Sequence, residues 1–317
     1  MERFRHLLRD DDLSVKEQSI VVKLGLNFSK NKQLASDALK ENSIGLLFEK
    51  QSLRTRVSAE VAVANMGAHP VQLRGDELHF NRGEPASDAV RVLSGYLQLL
   101  MGRVNSHALL EELRESDRLS IVNGLSDQFH PLQALADLLT MSQLWESELK
   151  GKTVCYVGDG NNVCASLMLA SAMQGINFRA ACPKGLEPEA KVVSDAQKLA
   201  SANGGSISVV SDPMQGAEKA DLLYTDVWVS MGEESGAEAH KKRLEGFQIN
   251  SELTSLASKD VKILHCLPAH RGEEISAEVI DGPHSYVIQQ AHNRLPATMA
   301  AFLFLLKPEL AEELSKS

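Results

Sequence analysis

Short apolar runs of five or six residues recur along this chain. Each is followed by a polar turn and then by apolar residues three or four apart, and that alternation leaves few folds open. The run SIGLLF at 43–48 predicts a buried strand. After a polar turn, Val57, Val61 and Ala64 fall at helical spacing before Gly67. The order repeats with HPVQLR, a polar loop, a helix carrying Val90, Leu93 and Leu97, and a further strand at 99–103. Helical crossovers between consecutive strands make a parallel sheet the natural consequence.

Ser14 and Glu17 have the spacing of a capping box ahead of Ile20, Val21 and Leu24, so the chain opens on a helix. A helix from Pro131 through Trp145 leads into the polar segment SELKGK, the expected domain boundary. The second half alternates again, with strands expected at 153–157, 178–182, 206–210, 221–225 and 261–265. The last apolar run, AHNRLPATMAAFLFLL, reads as helix, with Pro296 kinking it or starting it afresh. The expected fold class is α/β, with two doubly wound parallel-sheet domains and the active site in the cleft between them.

With 317 residues, 43% of them hydrophobic and 24% charged, the chain can fill two sizeable cores. Thirty-three basic against forty-two acidic residues give a net charge of −9, which argues against a nucleic-acid partner and requires any anionic ligand to be held by a local basic cluster. Cys155, Cys164, Cys182 and Cys266 include no C-x-x-C pair, so reduced thiols are expected and zinc is not. The acidic start MERFRHLLRDDD has no apolar signal core and no apolar run approaches a membrane span. We therefore expect a cytoplasmic protein with no membrane partner.

In open parallel sheets ligands bind beyond the carboxyl ends of the strands, and four such loops carry distinctive residues. In FEKQSLRTR, Ser52, Leu53, Arg54 and Thr55 follow a strand and open a helix, where free N–H groups and the helix dipole favour an anion. Arg54 could grip phosphate oxygens, or Arg54 and Arg56 could be solvent-facing helix residues; the intervening hydroxyl favours phosphate. In NGLSDQFHPLQALAD, Pro131 sets a helix start that leaves His130 and Gln133 on one face, able to reach one small ligand. YVGDGNNV offers a glycine-rich turn in which Val163 replaces the third glycine of a dinucleotide fingerprint, and no acid closes the next strand. The other two segments are TDVWVSMGEE, with Asp226, Ser230 and Met231, and VKILHCLPAHRGEE, with Cys266 and Leu267.

S-x-R-T-R after F-E-K resembles the carbamoyl-phosphate loop of the aspartate and ornithine carbamoyltransferases, and the resemblance extends along nearly the whole chain. It implies that residues 1–147 bind carbamoyl phosphate, that 148–291 bind L-ornithine, and that the terminal helix, about 292–317, packs back on the first domain. It further implies that Ser52, Leu53, Arg54, Thr55, Arg103, His130, Gln133 and Arg294 hold carbamoyl phosphate, with His130 and Gln133 on its carbamoyl group. Leu53 stands where members often have Thr, leaving only its backbone N–H, and Gln98 stands where Asp is usual, a departure read as structural. The loop DELHFNRGE resembles the segment that members extend into a neighbouring subunit. His79 would then reach that subunit's phosphate and the assembly would be a homotrimer; alternatively His79 and Arg82 are residues of a solvated loop. His107 reads as a surface helix residue.

In the second half, D-x-x-x-S-M-G and H-C-L-P resemble the ornithine branch of the family. The resemblance assigns Asn162, Asp226, Ser230 and Met231 to the amino-acid acceptor, Cys266 to its side-chain amine and the Leu267 carbonyl to the carbamoyl NH2. The implied reaction needs no cofactor or metal, because the nucleophile is the substrate's own δ-amine. An aspartate acceptor is disfavoured, since these motifs lack the cations a second carboxylate would need. Alternatives are N-acylated ornithine or putrescine as acceptor, a dinucleotide-dependent oxidoreductase built on GDGNN, and a noncatalytic amino-acid-binding regulator.

Overall fold

A computed structural model describes residues 4–75, 85–115, 117–229 and 236–316. The chain divides into two compact units, one formed by residues up to Gln143 together with those from His292 onward, the other by Leu144–Ala291. The division falls between Gln143 and Leu144, just ahead of SELKGK, and the Trp145 ring lies under the Lys152 ammonium of the same second unit at 5.5 Å.

In the first unit the order is α1 (Val15–Lys30), β1 (Ser43–Phe48), α2 (Arg54–Asn65), β2 (His69–Arg74), α3 (Ala86–Leu93), β3 (Leu99–Arg103), α4 (His107–Glu115), β4 (Ser120–Leu125) and α5 (Pro131–Leu144). The Ser14–Glu17 capping box forms as the spacing predicts, each side chain bonding the other's backbone N–H. All pairings are parallel and the strand order is β2-β1-β3-β4. The central strands are buried on both faces, which is why SIGLLF and LLMGR read as continuous apolar runs.

Three features depart from the sequence pattern. SIVNGL forms β4 although Asn123 and Gly124 interrupt its apolar run. Asn123 is fully buried and its amide donates to the Leu8 and Phe129 carbonyls, so a polar residue occupies a core strand. On α2 the buried residues are Thr55, Ala59, Ala62 and Val63, whereas Val57 and Val61 point outward. His107 is buried rather than on the surface, its Nδ1 2.9 Å from Ser126 Oγ and its N–H donating to Asp127.

The second unit runs β5 (Thr153–Val157), α6 (Asn162–Met173), β6 (Asn177–Ala181), α7 (Ala190–Asn203), β7 (Ser206–Val210), α8 (Pro213–Ala217), β8 (Leu222–Thr225), α9 (Ala237–Leu244), α10 (Ser251–Leu256), β9 (Lys262–His265) and α11 (Ala277–Ile280). Its parallel strands lie in the order β7-β6-β5-β8-β9. The fold class is therefore the expected one, two α/β units each built on a parallel sheet. α12 (Val287–Leu306) and α13 (Pro308–Leu314) complete the chain. Pro296 lies inside α12 and does not restart it. Met299, Ala300, Ala301, Phe302 and Leu303 just beyond are almost fully buried, and their packing offsets the lost hydrogen bond. No helix of the described residues is long and apolar enough to cross a membrane.

Candidate active site

A doubly wound sheet opens a crevice where consecutive strands part to opposite sides, and each unit has one such point. In the first unit it lies between β1 and β3. The loop after β1 delivers Ser52, Leu53, Arg54 and Thr55, and β3 ends on Arg103. Leu53, at the N-terminus of α2, is 72% exposed and makes no side-chain cap, so the first-turn N–H groups are not used up by a capping side chain. Thr55 is buried, and its Oγ1 accepts from Arg294 Nη2 at 3.1 Å and, more distantly, from Arg103 Nη1 at 3.5 Å. With both lone pairs engaged, the Thr55 O–H is oriented to donate.

His130 and Gln133 stand at the start of α5, both buried. The His130 carbonyl accepts from Gln133 and Ala134, so His130 caps the helix while its ring is held beside the arginines. Burial, with the nearby Arg294 and Arg103 charges adding to it, holds the His130 imidazole well below its ordinary pKa, so the ring is neutral at pH 7. Gln133 Oε1 accepts from Arg294 Nη1 at 2.6 Å, and its Nε2 donates to the buried Asp137 at 2.8 Å. Next to Arg294, Asn293 donates to Thr140 Oγ1 and Gln143 Oε1 and pins α12 to α5. The first unit thus brings together Thr55, Arg103, His130, Gln133 and Arg294, a cationic cluster with a neutral imidazole, and Arg54 precedes Thr55 at the start of α2. Arg56 faces solvent and lies 3.9 Å from Glu60, which suits the solvent-facing alternative for that residue.

In the second unit the switch point lies between β5 and β8, with β9 next to it. Gly160 in the turn after β5 has no room for a side chain, since a Cβ there would lie 2.3 Å from the Pro188 nitrogen. That turn's glycine therefore serves a close backbone approach. Asn161 caps α6, its Oδ1 accepting from Val163 and Cys164 N–H, while its Nδ2 donates to Asp226 Oδ2 at 3.0 Å. Asp226 Oδ1 also accepts from the Cys266 thiol at 2.8 Å and from the Val227 N–H at 2.8 Å. Three donors thus converge on one carboxylate. Asn162 begins α6 beside this cluster, half-buried.

Leu267, beyond Cys266, has φ +58, a left-handed value for a branched side chain. Its N–H donates to His265 Nδ1 at 2.8 Å, so the proton of that neutral ring is on Nε2, which donates to buried Glu274 at 3.0 Å. This hydrogen-bonded pair holds the Leu267 peptide in its unusual conformation. Asp226, His265 and Cys266 also lie close enough together to offer three ligand atoms to a metal ion, as do His270, Glu273 and Glu274. In the first trio both nitrogens of His265 and the thiol are already engaged in hydrogen bonds.

His79, Ser230 and Met231 lie outside the described residues. Asn161, Asp137 and Asn293 belong to these clusters without having been singled out from sequence. The signal for Asn161 was an Asn immediately ahead of a helix, the preferred N-cap residue.

Residues 5–143 match the family description "aspartate/ornithine carbamoyltransferase, carbamoyl-P binding domain", and residues 150–305 match its "Asp/Orn binding domain". The chain is 44% identical over 302 residues to the ornithine carbamoyltransferase of Acidothermus cellulolyticus, covering 95% of this chain and 96% of that one. It is 42% identical to the Methanocaldococcus jannaschii ornithine carbamoyltransferase, covering 95% and 99%. Among solved structures, the ornithine carbamoyltransferase from Pyrococcus furiosus superposes with a TM-score of 0.89 at 40% identity, covering 95% of this chain and 96% of that one. The Thermus thermophilus ornithine carbamoyltransferase gives 0.85 at 37%, covering 96% and 99%. On these grounds the chain belongs to the aspartate/ornithine carbamoyltransferase family.

Proposed function

We propose that this protein transfers the carbamoyl group of carbamoyl phosphate to the δ-amine of L-ornithine, giving L-citrulline and phosphate. The observation that carries this reading is that one unit holds a cationic cluster around Thr55 and the other, taken by itself, a carboxylate–thiol cluster at Asp226 and Cys266. The amine lone pair attacks the carbamoyl carbon, the C–O bond to phosphate breaks, and the amine loses a proton.

In the first unit, Ser52, the Leu53 N–H, Arg54, Thr55 and Arg103 hold the phosphate and stabilise it as it leaves. Neutral His130 polarises the carbamoyl oxygen as charge builds on it, and Gln133 and Arg294 bind around the same group. In the second unit, Asn162, Asp226, Ser230 and Met231 bind the amino acid, and the Leu267 carbonyl accepts from the carbamoyl NH2. An alkylammonium pKa of about 10.4 means that presenting the amine neutral near pH 7 costs about 4–5 kcal/mol. The Asp226 carboxylate, with the Cys266 thiol beside it, orients that amine and takes up part of this cost as a proton acceptor.

The proposal extends to a homotrimer in which His79 reaches a neighbouring subunit's phosphate. Supporting it, Leu53, Val57 and Val61 form an outward apolar stripe on α2, at 72%, 45% and 40% exposure, close to the edge strand β2. Light scattering measures the assembly mass. We also place the protein in the cytoplasm, serving arginine biosynthesis, in keeping with its free cysteines. The primary test is citrulline formation from carbamoyl phosphate and L-ornithine by the purified protein; absence of product overturns the reading.

A further inference from the structure

Gln133 lies between two groups that each dictate which end of its amide they receive. A guanidinium only donates, and Arg294 Nη1 therefore meets the amide oxygen, at 2.6 Å. A carboxylate only accepts, and Asp137 Oδ1 therefore meets the amide nitrogen, at 2.8 Å. Amide oxygen and nitrogen are alike in size, so without such partners the side chain could present either. Asp137 sits one helical turn after Gln133 on α5 and is fully buried, a costly place for a carboxylate.

We propose that Asp137 is a positioning residue that fixes the Gln133 amide with its oxygen toward Arg294 and the substrate's NH2, and so selects a carbamoyl over an acetyl phosphate electrophile. This rests on the carbamoyl-transfer reading above. The remaining lone pair of Gln133 Oε1 suits an N–H donor, which carbamoyl phosphate has and the near-isosteric acetyl phosphate lacks. Were the amide reversed, its N–H groups would face the Arg294 guanidinium, and Gln133 would offer the substrate NH2 a donor in place of an acceptor, leaving only the Leu267 carbonyl to receive it. Asp137 touches no substrate in this scheme and acts on it through Gln133.

The test is a mutant cycle read in three ways: citrulline kinetics, inhibition by inorganic phosphate, and inhibition by acetyl phosphate. Asp137→Ala is expected to lower kcat about 10- to 100-fold, the usual scale for a group that orients another. The preference for carbamoyl over acetyl phosphate falls about tenfold, on the scale of one hydrogen bond. The inhibition constant of phosphate stays within about twofold, as expected if the phosphate anchors are separate from this hydrogen-bond pair. Asp137→Asn retains most activity, because its Oδ1 accepts the same N–H. In a Gln133→Ala background, Asp137→Ala adds little further loss.

Equal impairment of D137A and D137N, parallel loss of phosphate and carbamoyl phosphate binding, or an undiminished D137A effect in the Q133A background would each overturn the proposal. Should D137A fail to fold by its circular dichroism melt, the exchange Gln133→Glu with Asp137→Asn decides. It keeps one carboxylate and one amide with the hydrogen bond reversed and an oxygen still facing Arg294. It should be more active than Q133E alone, and equal activity counts against the proposal. Wild type that forms no citrulline defeats the parent reading. Active wild type whose D137A variant keeps full carbamoyl selectivity defeats only the positioning role.

Discussion

At the carboxyl end of the first unit's sheet stand Arg103 and Arg294 with a neutral imidazole, whereas the corresponding place in the second unit holds a carboxylate and a thiol. Both sheets are parallel, and both gather these residues beside the strand where the order reverses. The architecture is thus nearly the same and the electrostatics are opposite. In each case the charge comes from a few strand-end, loop and helix residues rather than from the body of the sheet. The first unit suits an anion that leaves with more negative charge, the second a cation that must lose a proton.

The largest expected effect comes from weakening the cationic side. Arg54→Ala should cut kcat/KM for citrulline formation about 10²- to 10³-fold, comparable to losing one donor to a developing anion, with an unchanged melting temperature. Near-normal turnover would remove the phosphate anchor from the account. On the anionic side, Asp226→Asn should lower turnover about 10²-fold, the usual contribution of a positioned base, while inhibition by inorganic phosphate stays the same. If phosphate inhibition moved as much as turnover, the division of labour between the units would be wrong.

A third test concerns pH. Folded His130 is held below its ordinary pKa near 6.5, so as pH falls through that value the unfolded chain takes up a proton that the folded protein refuses. The resulting stability is fully present above pH 6.5 and is lost as pH falls toward the lower folded-state pKa, by at most about 1.4 kcal/mol per pH unit for one proton. His6 and His107, also lowered chiefly by burial, act in the same direction. Denaturant melts from pH 7 to 5 should therefore show a steeper loss in wild type than in His130→Gln, and identical slopes would contradict a buried neutral ring. The smallest effect is expected at Leu53. Leu53→Thr supplies a hydroxyl at the mouth of the anion site and should lower the KM for carbamoyl phosphate about two- to tenfold, the range of one hydrogen bond, which rate measurements at varied substrate would detect.

Much of the scaffold was legible because buried parallel strands must be apolar throughout. SIGLLF, LLMGR and TVCYV announce themselves, and the helices begin where Ser14, Glu17 and Pro131 say they should. β4 was not, since the buried Asn123 amide donates to the carbonyl of Leu8, far away in sequence, and to that of Phe129 in the following loop, and no strand pattern reveals those partners. The inward face of α2 was hidden for a related reason. Small residues Ala59, Ala62 and Val63 pack inward against the sheet, and the more apolar Val57 and Val61 remain outside. His107 and Pro296 were likewise decided by packing that their neighbours in sequence do not encode.

For the site, residues that touch substrate in the proposed scheme were readable as motifs after strands, because loop chemistry at those positions has few structural reasons to exist. Residues that act through them, Asn161 beneath Asp226 and Asp137 beneath Gln133, became visible only once folding put donor against acceptor. Asn161 shared its turn with Asn162, and sequence spacing could not say which of the two caps the helix.

The most direct measurement of the central claim is the initial rate of product formation from carbamoyl phosphate across a panel of L-ornithine, N-acetyl-L-ornithine, putrescine and L-aspartate. The account predicts citrulline from L-ornithine with kcat/KM at least about 100-fold above the other three, the scale of two or more lost charge-assisted hydrogen bonds. A faster reaction with any other acceptor, or no transfer to ornithine, would contradict it.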